Sequence, residues 1–166
     1  PTYAIGVFNP ATATIADSDT YANTAPAGAA VRVTSASSVT LTWTDNFETN
    51  TKYRVRRSTN QTTWTGFDAG AGATSHTFTG LAPGIPHFFQ VRAERATFEG
   101  TNNSLWSAVL PATPSALNAW RAAHLAANAS EGHAADQADP DADGLPNLLE
   151  YALGTHPAEP ASRAMP

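Results

Sequence analysis

Residues 38–44 read SVTLTWT, and residues 52–58 read KYRVRRS. In both stretches, apolar residues alternate with polar or charged ones. This period of two is typical of β-strands that bury one face. The predicted buried side chains of the two strands are Val39, Leu41, Trp43, Tyr53 and Val55.

Similar short strands, separated by turn residues, recur at intervals of about ten residues from Ala30 onward, which is typical of an antiparallel sandwich. In HFFQVRA, residues 87–93, the side chains of His87, Phe89 and Val91 share one face. A last strand is predicted around residues 106–110. The fold class is therefore mainly β, a seven-stranded immunoglobulin-like sandwich. Further apolar positions assigned to its inner face are Val31, Val33, Trp64, Phe78 and Leu81.

Residues 26–113 resemble a fibronectin type III domain of the bacterial extracellular kind. The residues that carry the resemblance, in family order, are Trp43 in VTLTW, Tyr53 and Val55 in YRV, Trp64 after the STNQTT turn, Leu81, Pro83 and Gly84 in GLAPG, the stretch FFQVRA, and LWS at residues 105–107. The family usually has a tyrosine six residues after the GLxPG leucine, where its hydroxyl ties down the strand corner. This chain has His87 there, and we expect a half-buried histidine whose imidazole donates a similar bond.

The sequence changes character after Pro114. Residues 117–128, LNAWRAAHLAAN, are rich in alanine and have apolar residues at helical spacing, so they predict a helix. A polar loop follows at residues 131–138. A second short helix is predicted at residues 147–153, with Pro146 in its first turn and Gly154 at its carboxyl end.

The loop before the second helix contains a metal-binding pattern. Residues 139–150, DPDADGLPNLLE, match D-x-D-x-D-G-x5-E. Calcium takes about six to eight oxygen ligands, and this spacing supplies carboxylates at alternate positions, a glycine at the sharp bend and a glutamate in the following helix. The sequence therefore predicts a Ca²⁺ site. Its ligands are Asp139, Asp141, Asp143, the carbonyl oxygen of Leu145, Asn147 directly or through water, and Glu150.

Two alternatives bear on this loop. Aspartates ahead of a helix also stabilise its N-terminus without any metal, so an acidic capping loop would have a similar composition. Asp136 lies just upstream and is either an additional ligand or a surface charge.

Pro146 occupies the eighth position of the loop, where paired calcium-binding hands donate a backbone N–H to each other. Proline has no such hydrogen, and no second loop is visible, so we expect a solitary hand. This region resembles dockerin-type calcium loops and a C-terminal element of secreted multidomain bacterial proteins. It has one loop where a dockerin has two.

The first residues resemble the last strands of a Calx-β domain, which commonly end in an AT-x-T-I-x-D-x-D pattern. The matching positions are Ala11, Thr12, Thr14, Ile15, Asp17 and Asp19. The expected organisation is 1–19, trailing strands of a preceding domain; 20–29, linker; 30–113, fibronectin type III-like domain; 115–157, calcium-binding helix–loop–helix; and 158–166, tail.

Charge and composition restrict the function. The net charge is -5 with only nine Lys and Arg, too few and too scattered for nucleic acid. Cysteine is absent, so disulfides and thiolate metal sites are excluded. No apolar stretch reaches the roughly 18 residues of a spanning helix, so membrane insertion is not expected.

The five histidines are dispersed and no catalytic motif is visible, so we do not expect an enzyme. The favoured hypothesis is a calcium-stabilised, secreted or cell-surface spacer or display module of a larger bacterial protein. Its partners would be neighbouring domains of the parent chain. Two alternatives are open: a dockerin-like assembly tag, or recognition of a polysaccharide or cell-surface protein. Sugar stacking would use Trp64, Phe67 and Phe98.

Overall fold

The computed structural model describes residues 24–47, 52–97 and 100–160. Its strands are β1 Ala27–Ser35, β2 Ser38–Thr44, β3 Lys52–Ser58, β4 Thr65–Ala71, β5 Ser75–Phe78, β6 His87–Thr97, β7 Gly100–Asn103 and β8 Leu110–Ala112. Its helices are α1 Ala116–His124 and α2 Asn147–Leu153, with a 3-10 turn at Gly132–Ala134 between them. Neither α-helix combines the length and apolar character that would be needed to cross a membrane.

The strands form two antiparallel sheets. One has the order β1-β2-β5, and the other has the order β4-β3-β6, with β7 and β8 both paired to β6. The predicted mainly β sandwich is confirmed. The alternating positions of the sequence do face inward: Val39, Leu41, Trp43, Tyr53 and Val55 are all at most 4% exposed. Val33, Phe78, Leu81, Phe89 and Val91 also belong to this core.

The closing strand differs from the prediction. A single strand was expected around residues 106–110, but the described residues contain two short strands, β7 and β8, on the same edge of β6. Between them, Ser104 N donates to the Ala93 carbonyl at 3.0 Å, and Ala93 N donates to Ser104 Oγ at 2.9 Å. Ser107 and Val91 repeat this exchange at 2.8 and 3.1 Å. Because hydroxyl oxygens replace backbone carbonyls as acceptors, the segment stays attached to β6 without forming a regular ladder.

The prediction that Trp64 packs on the inner face is wrong. Trp64 is partly exposed and precedes β4, where the guanidinium carbon of Arg56 lies 4.3 Å from its ring centroid. Arg56 also lies 4.0 Å from the ring of Trp106, and Arg92 lies 4.7 Å from the same ring. The indole rings and guanidinium groups therefore alternate along the outer face of the sheet, an arrangement stabilised by cation–π attraction.

Helix α1 ends earlier than the predicted residue 128. Ser115 caps its first turn by accepting from Asn118 N at 3.0 Å, and the helix stops at His124. Ala126 then adopts a φ of 53°, a left-handed conformation that a regular helix does not contain. This reversal brings Asn128 to strand β1, the edge of the smaller sheet.

The C-terminal element packs on the sandwich through that edge. Asn128 Oδ1 accepts from Val33 N at 2.9 Å, and Asn128 Nδ2 donates to the Val31 carbonyl at 2.7 Å. Arg32 donates from its guanidinium to the Ala122 carbonyl at 2.9 Å. The side-chain amide thus pairs with an edge strand in the manner of a neighbouring backbone.

Residues 27–29 of the predicted linker 20–29 belong to β1 instead, and residues 20–23 lie outside the described residues. The predicted Calx-β strands at residues 1–19 lie outside the described residues, as do Phe98 and residues 161–166 of the predicted tail.

Candidate metal centre

The acidic loop brings three of the predicted ligands together. Asp139, Asp141 and Asp143 each place a carboxylate oxygen within 4.8 Å of the other two. Three anionic groups at this separation repel one another unless protons or a cation intervene. The loop therefore concentrates negative charge at one point between α1 and α2.

Backbone donors fix the turn. Asp139 accepts from Asp143 N at 3.2 Å and from Gly144 N at 2.9 Å, one bond to each carboxylate oxygen. Asp143 in turn accepts from Leu145 N at 2.8 Å. Gly144 has a φ of +92°, a conformation that strains any residue with a side chain. These bonds curl the chain so that the carboxylates turn toward its inside.

Helix α2 contributes two further buried side chains, Asn147 at 1% exposure and Glu150 at 0%. Asn147 Nδ2 donates to the carbonyls of His133 and Ala135, at 2.9 and 2.8 Å. These two bonds fix the orientation of the amide, and its Oδ1 is left without a hydrogen-bond partner among the described residues. Helix and loop are thereby held in one geometry.

Three of the predicted ligands each have a buried oxygen atom without a hydrogen-bond partner among the described residues, namely Asp141 Oδ2, Asn147 Oδ1 and Glu150 Oε2. Buried polar atoms of folded proteins nearly always have a partner. All three belong to predicted ligands, and all are acceptors that a cation can satisfy. The donor set is made of oxygen alone, which suits a hard divalent ion.

The electrostatics agree with this geometry. Burial raises the pKa of Glu150, and repulsion from Asp141 and Asp143 raises it further, against a weaker opposing bond from Thr155. Burial also raises the pKa of Asp141, and its acidic neighbours add to the effect, although a bond from the Asp143 backbone opposes it. Without a cation, both carboxylates are harder to ionise than the same groups in water.

The remaining expectations for the loop have mixed outcomes. The role of the Leu145 carbonyl as a ligand stays a prediction. Pro146 caps α2 with extended backbone, one position before the first helical residue, and Gly154 ends the helix with φ 73°. Asp136 pairs with Arg121 and accepts from Ser130 Oγ at 3.0 Å, so it is a half-exposed charge with protein partners, and a role as an additional ligand stays a prediction.

Arg121 is the residue that sequence reasoning missed. It is 3% exposed and donates to Asn118 Oδ1 at 2.6 Å, to the Ala134 carbonyl at 3.1 Å and to Asp136. One signal was available: a lone arginine within an alanine-rich amphipathic helix, with an aspartate downstream. Arg121 joins α1 to the segment that enters the metal loop.

Two of the three aromatic residues proposed for sugar stacking, Trp64 and Phe67, have protein partners. One side of Trp64 faces Arg56, and its Nε1 donates to the Gln61 carbonyl at 3.0 Å. Phe67 packs edge-on against Phe78, with ring centroids 5.5 Å apart.

The solved structures that are similar to this chain at low identity include the following three. One, described as a myokine structure, is 15% identical with a TM-score of 0.45, covering 56% of this chain and 98% of that one. The sixth fibronectin type III domain from human fibronectin type III domain containing protein 3 is 17% identical with a TM-score of 0.44. The match covers 58% of this chain and 87% of that one. A chain of a cytokine receptor complex is 26% identical with a TM-score of 0.48, covering 55% and 51%. No curated protein matches the sequence.

A family model described as the fibronectin type III domain matches residues 24–109. The match spans just over half of the 166 residues and includes strands β1 to β7. Domains of this family are modules that often occur within multidomain proteins. The chain therefore belongs to the fibronectin type III family.

Proposed function

We propose that this chain is a non-catalytic spacer or display module of a larger secreted bacterial protein, and that one Ca²⁺ orders its C-terminal helix–loop–helix. The ion would be held by Asp139, Asp141, Asp143, the Leu145 carbonyl, Asn147 and Glu150. The observation that carries the proposal is the set of three buried oxygens without partners, on Asp141, Asn147 and Glu150. If the acidic loop only capped the helix, nothing would offset the cost of burying the Glu150 carboxylate completely.

The ion would have a structural role because its ligands connect to the sandwich. Asn147 binds the carbonyls of His133 and Ala135, and Arg121 binds the neighbouring Ala134 carbonyl from α1. Helix α1 then contacts β1 through the Ala122 carbonyl and Arg32. A cation that holds Asn147 and Glu150 in place would therefore stabilise the contact between the C-terminal element and the edge of the smaller sheet.

Isothermal calorimetry with CaCl₂ tests the site. The wild-type protein is expected to bind one equivalent, and Asp141→Ala to bind at least tenfold more weakly, because it removes a buried unpartnered oxygen. Asp68→Asn is the matched control, since Asp68 is an acidic surface residue on β4 that pairs with Lys52 at 3.5 Å. Equal heats of binding in the wild type and Asp141→Ala, or no heat of binding in either protein, would overturn the proposal.

A second candidate function, docking to a protein partner in the manner of an assembly tag, is favoured by α2. Its leucines Leu148, Leu149 and Leu153 are 41%, 43% and 61% exposed, which is unusual for three apolar residues on one short helix. Titration of a cohesin-type domain from the same organism into the calcium-loaded protein tests this function. Binding should be lost in Leu149→Lys, and a silent titration with the wild type would exclude it.

A further inference from the structure

A surface pocket of about 550 Å³ lies at the end of β3, away from the metal loop. The turn between β3 and β4 and the segment from Gly80 to β6 form its walls. Its lining includes Arg57, Asn60, Thr63, Thr65 and His87. Arg57 and His87 are the only ionisable residues in this lining.

Arg57 occupies an unusual position for a cation. It follows Tyr53 and Val55 at the same alternating positions of β3, so it continues the inward-facing row at the end of the sandwich. Its neighbours Arg54 and Arg56 have oxygen partners on Glu94 and Gln90. In the described part of the chain, the guanidinium of Arg57 has a contact with the ring of Phe67, at 5.6 Å, but no hydrogen bond or ion pair.

His87 closes the pocket beside Arg57. Its side chain is 6% exposed, and its Nε2 has no hydrogen-bond partner among the described residues. Burial lowers the pKa of His87, the positive charge of Arg57 lowers it further, and a hydrogen bond with the Ala82 backbone opposes both effects. The proximity of Arg57 thus favours a neutral imidazole, and the pocket carries one uncompensated positive charge.

The turn between β3 and β4, which forms one wall, is held by hydrogen bonds before any ligand binds. Ser58 Oγ accepts from Asn60 N at 3.1 Å and from Gln61 N at 2.9 Å. Asn60 Oδ1 accepts from Thr62 N and Thr63 N at 3.0 and 2.9 Å. A wall held in this way loses little conformational entropy on binding.

Hydroxyl groups line another part of the pocket. Thr63 and Thr65 both contribute to the lining. We propose that this pocket binds a carboxylate-bearing sugar of the hexuronate class. The carboxylate would pair with the Arg57 guanidinium, a charge-assisted bond, and the sugar hydroxyls would bond to the threonine hydroxyls.

The polar lining favours a sugar acid over an acidic peptide. An extended peptide binds through a row of backbone hydrogen bonds along a strand edge and apolar pockets for alternate side chains. This pocket instead presents a turn whose backbone N–H groups are already bound to Ser58 and Asn60. Its volume is within the range of small-molecule sites, about 300–1,000 Å³.

Sodium glucuronate titrated into the ¹⁵N-labelled full chain, at constant ionic strength, tests the proposal by NMR. Saturable shifts are expected at residues 57–65 and at His87, and glucose should cause none. The pKa of His87 should rise on binding, because a bound carboxylate offsets the charge of Arg57. In Arg57→Gln, binding should weaken at least tenfold, as expected for the loss of one charge-assisted bond.

Arg54→Gln is the matched control, because Arg54 lies on the same strand but pairs with Glu94 at 3.9 Å, outside the pocket. It should bind glucuronate like the wild type. Tighter binding of an acetylated Gly-Glu-Gly amide than of glucuronate would overturn the proposal in favour of a protein partner. Shifts that never saturate, or that persist in Arg57→Gln, would also overturn it.

Binding at this pocket does not depend on the proposed calcium site, because none of the loop ligands lines it. The titration is therefore repeated in EDTA, where Arg57-dependent shifts should persist. A failure of glucuronate binding alongside normal calcium binding would sink this inference alone.

Discussion

The side-chain amide of Asn128 completes the hydrogen bonding of Val33 on strand β1. Asn128 Oδ1 accepts from Val33 N at 2.9 Å, although the two residues are 95 positions apart in the chain. The same amide donates to the carbonyl of Val31 at 2.7 Å. One side chain thus fastens the C-terminal element to the sandwich.

Replacing Asn128 by alanine should destabilise that contact. Both bonds are lost, and a net cost of about 1–2 kcal/mol is expected for two partly buried hydrogen bonds. Hydrogen exchange measures it directly, since the amide of Val33 should exchange faster in Asn128→Ala. Asn128→Asp keeps the acceptor for Val33 N and is expected to protect that amide better. Unchanged exchange in the alanine variant would contradict the prediction.

Replacing Arg121 by methionine should loosen the helix–loop–helix more strongly. The Ala134 carbonyl loses its donor, and Asp136 loses its ionic partner in a site where Arg121 is 3% exposed. Because the Asp136 side chain is half-exposed, the expected loss in the free energy of unfolding is limited to roughly 2–3 kcal/mol. Thermal unfolding and limited proteolysis within residues 125–140 would show it.

Arg32→Met is the control for that experiment, because it removes a single bond to the Ala122 carbonyl from an exposed arginine. Its effect should be below about 1 kcal/mol. Equal destabilisation by the two substitutions would show that burial of Arg121 has no special importance.

Acid should destabilise the sandwich through His87. Its pKa is lowered in the folded state, by burial first and by Arg57 second, so the unfolded chain binds the proton more readily. Stability from this residue is complete above the unfolded pKa of about 6.5 and is lost as the pH falls below it. Burial lowers the pKa of His76 as well, so His76 adds to the effect.

The variant His87→Tyr, which restores the residue usual in the family, should reduce this pH dependence. Denaturant unfolding at pH 7.5 and 5.5 compares the two proteins. The wild type is expected to lose more free energy of unfolding between these values than His87→Tyr. Identical losses would mean that His87 does not titrate on unfolding.

Removing calcium should affect only the C-terminal third. Ligand binding stabilises the folded state by about 2.7 kcal/mol when the free ion is a hundredfold above its dissociation constant. The core around Leu41, Tyr53 and Val91 contains none of the proposed ligands. EDTA should therefore speed hydrogen exchange at residues 138–153 and leave β2, β3 and β6 protected. Faster exchange in β2, β3 and β6 together with residues 138–153 would contradict this prediction.

Much of the sandwich could be predicted because the alternation of buried and more exposed residues is uninterrupted in β2 and in the first part of β3. Val39, Leu41 and Trp43 alternate with exposed or partly exposed threonines, and Tyr53 and Val55 alternate with arginines. The same rule placed Trp64 wrongly, since no local pattern reveals that an indole will stack on Arg56. The split of the closing strand also depends on two serine hydroxyls that reach across to β6, which is a tertiary effect.

The candidate metal site was largely predictable because its spacing lies within a single stretch of chain. The sequence could not show that Asn147 would be oriented by the carbonyls of His133 and Ala135, or that Glu150 would be completely buried. Those properties depend on how α2 packs against the preceding turn. Arg57 was overlooked for a related reason: in KYRVRRS it looks like the other arginines of the strand, and only the structure shows that it lines a pocket with His87.

The segment between β7 and β8, which is bonded to β6 through serine hydroxyls, affects how neighbouring molecules can associate. A regular outer strand offers free N–H and carbonyl groups on which a neighbouring molecule can polymerise. Here the hydroxyls of Ser104 and Ser107 bend residues 104–109 back onto β6, so that part of the margin is a poor template for fibre growth. Many copies displayed side by side should consequently stay separate along this border. Removing the two hydroxyls would be the simplest way to make the molecule self-associate through this edge.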